Sequence, residues 1–227
     1  MAAKDVETRI NELEKKVEIL YDIEAIKKLQ RSYGYYLEHW MYEEVIDCFS
    51  DSPDTVLNIM VGIFLGKEGV RRYFTGEKAR STDPELLHQI MQLSGVVDIA
   101  ADGNTAGGRW YGFGATAIPA GKGVLQVLTG GIYTVEYIKE NGKWKIWKIM
   151  WNPTINAPPA VGWVKPERVA KITPEELPKP PRADKPRDID TRYPSGYIPP
   201  FHYPHPVTGK ATSERKHNAA LHIKGIE

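Results

Sequence analysis

One histidine and several tyrosines are the side chains of this sequence best suited to exchange protons with a bound molecule. His88 lies in the apolar segment LLHQIMQL, and imidazole is the side chain whose ordinary pKa is closest to neutrality. We predict that His88 enters a pocket and acts as a catalytic base. The alternative is a surface histidine at the start of a strand, because Asp83 and Pro84 come just before it.

Tyrosine hydroxyls are the candidate hydrogen-bond donors. Tyr33, Tyr36 and His39 follow one another at intervals of three residues, which places them on one broad face of a helix. Tyr133 lies in the segment 125–137, where apolar residues alternate along one strand face. We predict that Tyr36 and Tyr133 are catalytic and that Tyr33 and His39 contact the substrate. The alternative is that these tyrosines are core residues with their hydroxyls at its rim.

The segment RWYGFG (109–114) places a cation directly before three aromatic residues. Neighbouring strand residues point to opposite faces, so only one of Arg109 and Trp110 faces a cavity. In a pocket, Arg109 would stabilise an enolate or phenolate, so it is a catalytic candidate, and Trp110 and Tyr111 are substrate-binding candidates. The glycines at 112, 114, 130 and 131 either make room for a ligand or mark bulges in a curled sheet.

The composition excludes several classes of protein. The 227 residues include 30 lysines and arginines against 29 acidic residues, and a net charge of +1 excludes a polybasic nucleic-acid-binding protein. The 12 tyrosines and 6 tryptophans exclude a disordered acidic chain. The single cysteine, Cys48, excludes a disulfide scaffold.

Motifs for cofactors, metals and membranes are missing from the sequence. It contains no GxGxxG, no Walker loop, no HExxH and no Cys/His set with metal-ligand spacing. It also contains no run of about 18 apolar residues, and its charged N-terminus lacks a signal-peptide core. We therefore expect a soluble, cytoplasmic protein that uses no metal or cofactor, enters no membrane and binds no nucleic acid.

The periodicity of the apolar residues predicts the helices and strands that carry these side chains. Residues 1–20 form a heptad pattern typical of a helical extension, and a second helix with Tyr33 and Tyr36 follows. Strands are predicted over 55–64, 87–99, 105–118, 124–138 and 143–152, the last ending at Pro153, with a short helix over 70–76. This order predicts an α+β domain over residues 21–156, a cone-shaped barrel in which helices pack on a curled, mostly antiparallel sheet.

Proline sets the rest of the chain apart. Of 17 prolines, 13 lie between Pro158 and Pro206, so residues 157–227 are predicted to form an extended arm. Aromatic residues on a stiff proline-rich scaffold favour an arm that docks on a surface, and a loose tail is the alternative. We predict that Phe201 and Tyr203 cover a pocket mouth and contact the substrate.

Several segments together resemble the SnoaL-like branch of the nuclear-transport-factor-like superfamily. The resemblance rests on DIEAIKKLQRSYGYYLEH (22–39), GKEGVRRYF (66–74), DGNTAGGRWYG (102–112) and YIKENGKWKI (137–146). It implies a cone-shaped α+β fold and cofactor-free acid–base chemistry on apolar molecules, as in scytalone dehydratases, ketosteroid isomerases and polyketide cyclases. In that comparison, His88 resembles the strand histidine of scytalone dehydratases, and Tyr36 with Glu38 resembles their Tyr–Asp pair.

Two functions remain open at this point. The resemblance implies a cofactor-independent lyase, dehydratase or isomerase that acts on a hydrophobic, aromatic hydroxylated molecule. The arm, with WNPTINAPP at residues 151–159, also resembles SnoaL-like lyases that remove formaldehyde from lignin-derived diaryl compounds. The alternative is a non-catalytic module that binds a hydrophobic ligand or a partner protein.

Three features predict a homo-oligomer, and the resemblance to scytalone dehydratases favours a trimer, with a dimer as the alternative. The heptad pattern is too short to be stable without a partner, and the aromatic arm needs a surface. The last strand is apolar on both faces, which predicts a buried outer face. Strict alternation would place Trp144, Ile146 and Met150 on one face and Trp147, Ile149 and Trp151 on the other.

Overall fold

The computed structural model describes residues 2–76, 86–120, 122–163 and 205–211. These residues form helices α1 (Ala2–Glu38), α2 (Tyr42–Asp47) and α3 (Gly66–Gly76). They also form strands β1 (Val56–Ile59), β2 (Gly62–Leu65), β3 (Leu87–Ile99), β4 (Thr105–Ala120), β5 (Gly123–Glu140) and β6 (Lys143–Ala157). The predicted α+β class is confirmed.

The six strands form one mixed sheet that is curled but not closed. Its order is β2-β1-β6-β5-β4-β3, and every neighbouring pair is antiparallel except β1 with β6. Long strands joined by tight turns twist strongly, and this twist curls the sheet around the helices. The helices α1, α2 and α3 therefore close the concave side of the sheet.

Helix α1 runs without a break from the predicted extension into the predicted domain. Residues 5–21 are exposed, whereas from Ile26 onwards one face of the helix is buried against the sheet. The heptad residues Val6, Ile10, Leu13, Val17 and Leu20 keep between 47% and 63% of their surface exposed. In a single copy of the chain, the apolar seam is thus unburied.

Strand β6 does not end at Pro153, as the sequence predicted, but continues to Ala157. The pairing with β5 shifts there: Pro153 lies opposite Gly131, whereas Ile155 lies opposite Gly130. A bulge leaves one residue outside the ladder, so the missing N–H of proline costs little at this position. The predicted strand end was wrong because Pro153 lies at a bulge, and the strand continues beyond it.

A second bulge in β6 also corrects the predicted outer face of the strand. The register shifts between Glu136 and Tyr137 of β5, where Ile146 pairs with Tyr137 and Lys148 pairs with Glu136. The extra residue inverts the alternation, so Ile149 and Trp151 are buried on the inner face. The expected apolar outer face of Trp147, Ile149 and Trp151 therefore does not exist.

Other apolar side chains do cover part of the outer face. Met91 lies opposite Phe113, and Leu93 lies opposite Tyr111, on the outward side of β3 and β4. All four keep at least 40% of their surface exposed. We call these four residues the outer patch.

A short segment of the C-terminal region, residues 205–211, packs against the domain. His205 is 3% exposed, and its ring stacks on Tyr36 with a centroid distance of 5.2 Å and an interplanar angle of 6°. Its Nε2 lies 3.0 Å from the carbonyl oxygen of Glu44, and its Nδ1 accepts the N–H groups of Val207 and Thr208. Most of the predicted arm, including Phe201 and Tyr203, lies outside the described residues.

Candidate functional site

A cavity of about 260 Å³ opens between the helices and the concave face of the sheet. It is larger than the roughly 150 Å³ cavity that holds benzene in an engineered protein, and it falls just below the usual range for drug-sized ligands. The volume therefore suits a molecule of one or two rings.

Apolar residues form most of the cavity wall, and those on β5 follow the alternation that the sequence predicted. The apolar lining residues are Leu37, Leu57, Ile59, Met60, Val61, Phe74, Ile90, Ile118, Leu125, Val127, Ile149 and Trp151. Met60 and Val61 are 60% and 74% exposed, so the β1–β2 turn lies at the cavity mouth. Leu57, Phe74, Ile149 and Trp151 are buried and form its deep end.

His88 lines this cavity, so its predicted placement in a pocket agrees with the structure. It pairs with Thr116 across β3 and β4, and paired residues of antiparallel strands point to the same face. Its ring lies 5.8 Å from that of Trp40, which follows α1. The strand and the end of the helix thus hold the imidazole at the wall, half-buried.

Tyr33 and Tyr133 line the same cavity from opposite sides, on α1 and β5. Burial raises the pKa of both phenols above the ordinary value. At neutral pH they are therefore protonated, and they act as hydrogen-bond donors rather than as bases. Tyr133 also packs against Trp151 in a tilted arrangement, with a ring-centroid distance of 4.3 Å and an interplanar angle of 35°.

The lack of a side chain at Gly112 makes room for the packed rings of Tyr133 and Trp151. A Cβ atom at Gly112 would lie 2.5 Å from the Trp151 ring and 2.6 Å from the Tyr133 ring. The structure therefore uses Gly112 for ring packing, which is neither of the two uses considered from the sequence.

Two of the predicted site residues, Tyr36 on α1 and His39 just after it, do not line the cavity. Tyr36 is fully buried, but its ring faces His205. His39 lies half-buried near the end of the helix. Tyr33 and Tyr36 are about 60° apart around the helix axis, so only the first reaches the cavity.

The RWY segment of β4 divides between the two faces of the sheet. Trp110 is 1% exposed and points inward, but it is a core residue and does not line the cavity. Arg109 is exposed on the outer face, because neighbouring residues of a strand point to opposite faces. Tyr111 is 58% exposed and belongs to the outer patch. The structure thus separates Arg109 and Tyr111 from the cavity.

Several polar groups of the wall were not predicted. Thr116, Thr129, Asn156 and Tyr73 also line the cavity. Thr129 pairs with Asn156 across β5 and β6, beyond the bulge at Pro153. The alternation of β5 pointed to Thr129, whereas Asn156 could not be found because the predicted strand ended before it.

The described lining residues include no aspartate, glutamate, lysine or arginine. Among the same part of the chain, no three His, Cys, Asp or Glu side chains come together in a group that could hold a metal ion. The site therefore offers one imidazole, three phenols, two hydroxyls and an amide within an apolar wall. Such a set can move a proton and stabilise a developing oxyanion.

Within residues 2–76, 86–120, 122–163 and 205–211, no helix combines the length and the apolar character that crossing a membrane requires.

Solved structures with the same fold come from several bacteria. One is a scytalone dehydratase-like protein of Novosphingobium aromaticivorans, with 16% identity, a TM-score of 0.52, and coverage of 69% of this chain and 99% of that chain. Another is the hexachlorocyclohexane dehydrochlorinase LinA-type3 of Novosphingobium barchaimii, with 17% identity, a TM-score of 0.50, and coverage of 66% and 99%. At these identities the likeness concerns the fold.

The sequence itself matches a known domain. The profile of the SnoaL-like domain matches residues 18–149, which include α2, α3, the cavity-lining part of α1 and most of the sheet. This match spans more than half of the chain, and the resemblance noted from the sequence is confirmed. The chain therefore belongs to the SnoaL-like domain family.

Proposed function

We propose that the protein is a cofactor-independent lyase of the dehydratase or deformylase type, or an isomerase, acting on a hydrophobic, aromatic hydroxylated small molecule. The observation that supports this proposal is the meeting of His88, Tyr33 and Tyr133 in one apolar cavity of about 260 Å³. Similar folds belong to a hexachlorocyclohexane dehydrochlorinase and to a scytalone dehydratase-like protein, and both names denote elimination reactions.

In this proposal His88 is the base and the tyrosines are the donors. His88 takes a proton from a carbon of the substrate, and the C–H electron pair enters a new double bond or an enolate. Tyr133 and Tyr33 donate hydrogen bonds to the oxygen on which negative charge develops. In a dehydration, the imidazolium returns its proton to the departing hydroxyl, which leaves as water. In an isomerisation, the proton returns to a different carbon.

The apolar wall strengthens these interactions. Electrostatic attraction between a hydroxyl donor and an oxyanion is several times larger in a low-dielectric site than in water. The wall also excludes charged substrates, because the described lining residues carry no group that would compensate a fixed charge.

The second candidate is a binding protein without catalytic activity. It is favoured by the lack of a carboxylate among the described lining residues, because catalytic imidazoles are commonly oriented by one. An uncharged cavity with a few polar groups is sufficient to bind a ligand.

The experiment that separates the two candidates is a ligand screen followed by product analysis. Phenols, hydroxylated naphthalenes and diaryl compounds are screened by thermal shift, and each ligand that binds is incubated with the protein and analysed by mass spectrometry. Loss of water, loss of formaldehyde or a product of unchanged mass with altered absorbance supports the enzyme. Binding without conversion of any ligand supports the binding protein.

A further inference from the structure

The polar groups of the cavity lie at different depths, which follow from the pairing of the strands. His88 on β3 pairs with Thr116 on β4, and both side chains line the cavity. Paired residues of antiparallel strands lie side by side and point to the same face of the sheet. Two residues further along β4, Ile118 pairs with Leu125, which is 45% exposed. His88 and Thr116 therefore lie near the cavity mouth, and we call their position the mouth level.

The ring of Tyr133 lies deeper in the cavity. A Cβ atom at Gly112 would lie 2.6 Å from this ring, so the phenol passes directly in front of Gly112. Gly112 precedes Thr116 by four residues on β4, and a strand rises about 3.3 Å per residue. The phenol is therefore about 13 Å from the mouth level along the strand. We call its position the deep level.

Helix α1 places a second phenol at the deep level. Tyr33 lines the cavity next to Gly34, where a Cβ atom would lie 2.7 Å from Gln92 Cγ. Gln92 lies four residues beyond His88 on β3, so Tyr33 and Tyr133 share one depth. Trp40, which follows the helix, instead packs on His88 with a ring-centroid distance of 5.8 Å. The five residues from Tyr33 to the end of the helix rise about 8 Å, so the helix also separates the two levels.

The position between these levels carries one further pair of polar residues. Thr129 pairs with Asn156, and both line the cavity. The Thr129 hydroxyl donates to the carbonyl oxygen of Ile155 at 3.4 Å, so its proton is directed to the backbone. Asn156 is exposed and contributes its amide at the edge of the cavity. This middle level is therefore a rival place for a single ligand oxygen.

One ligand oxygen cannot contact the mouth level and the deep level together. Hydrogen bonds join atoms about 3 Å apart, so contacts at both levels leave roughly 7 Å for the framework of the ligand. A benzene ring with oxygen-bearing substituents in para positions spans such a distance, whereas a meta arrangement is shorter and bent. The mostly apolar wall also favours a ring over a polar chain, because a polar chain would lose its water without gaining partners.

We propose that the cavity selects aromatic molecules that carry an oxygen at each end of the long axis of the ring. One oxygen binds at the deep level, where Tyr33 and Tyr133 donate hydrogen bonds, and the other binds at the mouth level. This inference rests on the proposed function, which assigns a hydroxylated aromatic ligand to the cavity. The oxygen at the mouth level then lies beside His88, the imidazole that the proposed function uses for proton transfer.

The probes are four compounds of one ring that differ in their oxygens. The compound 4-hydroxybenzyl alcohol carries two oxygens at para spacing, and 3-hydroxybenzyl alcohol carries two at meta spacing. The alcohol oxygen is absent from 4-methylphenol, and the phenol oxygen is absent from benzyl alcohol. Dissociation constants for the full chain are measured by isothermal titration calorimetry, which requires no turnover.

We expect 4-hydroxybenzyl alcohol to bind more tightly than each of the other three compounds. An oxygen that finds a hydrogen-bond partner contributes the net free energy of one bond, which is about a twofold to tenfold gain in affinity. An oxygen that finds no partner in an apolar cavity weakens binding instead. The sign of each difference in affinity therefore tells whether that oxygen has a partner.

Variants at each level identify the partners. Tyr133→Phe should reduce the advantage of 4-hydroxybenzyl alcohol over benzyl alcohol and leave its advantage over 4-methylphenol unchanged. His88→Leu should do the reverse. Thr116→Val removes the other mouth-level group and keeps the shape of the side chain, so it gives the same test if His88→Leu does not fold. Asn156→Leu is the control at the middle level and should change neither advantage.

Binding of a single oxygen at the middle level would give a different result. Asn156→Leu would then weaken binding, Tyr133→Phe would not, and the meta compound would bind as tightly as the para compound. Each of these results overturns the inference, and so does a failure of 4-hydroxybenzyl alcohol to bind.

These outcomes are distinct from a failure of the proposed function. If the affinities follow the expected order but no ligand of the screen is converted, the catalytic proposal fails and the selection of para-substituted rings stands. If ligands are converted but the affinities do not follow this order, only this inference fails.

Discussion

At the scale of single residues, His88 is the imidazole that lines the cavity and the base of the proposed reaction. We predict that His88→Ala lowers turnover of a converted substrate by roughly 10²–10⁴-fold, the usual contribution of a general base. Circular dichroism should show an unchanged fold, since the side chain is only half-buried. The measurement is the steady-state rate of the reaction found in the ligand screen.

His39 provides the matched control for His88. It is also a half-buried histidine, but it does not line the cavity. His39→Ala should therefore keep turnover within a few-fold of the wild type. Equal losses in both variants would contradict a specific role for His88.

Tyr133 and Tyr36 differ in a way that a pair of phenylalanine substitutions tests. Removing a hydroxyl that stabilises an oxyanion should cost about tenfold or more in turnover, so Tyr133→Phe is expected to show this loss. Tyr36 packs on His205 and lies outside the cavity, so Tyr36→Phe is expected to leave turnover unchanged. Rates and melting temperatures are measured for both, and a loss of turnover in Tyr36→Phe alone would reverse the assignment.

The sequence predicted residue types at this scale better than it predicted their directions. Tyr133 was found because it lies on an alternating strand, whose inward face is readable from the pattern, and His88 because it is a histidine within an apolar strand. Tyr36 was chosen instead of Tyr33 for catalysis because Tyr36 with Glu38 resembles the Tyr–Asp pair of scytalone dehydratases. The rotation of a helix about its axis, which decides between them, depends on packing against other elements.

At the scale of elements, Gly112 of β4 contacts the packed rings of Tyr133 on β5 and Trp151 on β6, and this contact leads to a stability prediction. Gly112→Ala would place a methyl group within 2.6 Å of the Tyr133 ring, so it should lower the free energy of unfolding by about 1–3 kcal/mol, as overpacked cores do. Gly107→Ala is the control, because nothing lies within 4 Å of a Cβ atom there. Urea unfolding of both variants measures the difference, and equal stabilities would contradict the packing described.

The contact between residues 205–211 and the domain is expected to depend on pH. Nδ1 of His205 accepts two backbone N–H groups, so the folded segment needs the neutral ring, and burial lowers the pKa of His205. The carboxylates of Glu44 and Asp47 oppose this shift. Since the folded state binds the proton less well, the contact should be fully stable above the ordinary pKa of about 6.5 and weaken as the pH falls below it.

Hydrogen exchange of residues 205–211 tests this pH dependence. Exchange should accelerate on acidification from about pH 7.5 to about pH 5.5, beyond the change expected from intrinsic chemistry. A His205→Asn variant cannot titrate in this range, so it should show no additional acceleration. The same acceleration in both proteins would exclude His205 as its origin.

Regular elements were predictable at this scale, and irregular ones were not. The strand starts at residues 87, 105 and 143 agree with the structure because turn residues mark them clearly. The two bulges of β6 were missed, since one extra residue leaves local composition unchanged but inverts every side chain beyond it. The last strand therefore was assigned the wrong faces, and Asn156 was overlooked.

At the scale of the whole molecule, the homo-oligomer stays a prediction, and the exposed seam of α1 is the surface on which we test it. Apolar side chains at heptad spacing along about two heptads gain stability when copies of the helix pair. We predict that Leu13→Glu lowers the molar mass measured by light scattering. Lys15→Glu, on the same helix but outside the seam, should leave it unchanged.

The outer patch is a second surface that an oligomer would bury. If it is an interface, Phe113→Lys should also lower the mass, because it places a charge among exposed apolar residues. A wild-type chain that is monomeric by light scattering would refute the oligomer, whichever surface is changed.

Trp151, which packs against Tyr133, gives the cavity an intrinsic fluorescence signal. The indole of Trp151 forms part of the wall and is 9% exposed, so a ligand that enters replaces its few neighbouring water molecules. Indole emission shifts in wavelength and intensity when its surroundings change, and a phenol or nitroaromatic ligand would quench it. The difference in fluorescence between the wild type and Trp151→Phe therefore reports occupancy directly, without labels and before any reaction is known.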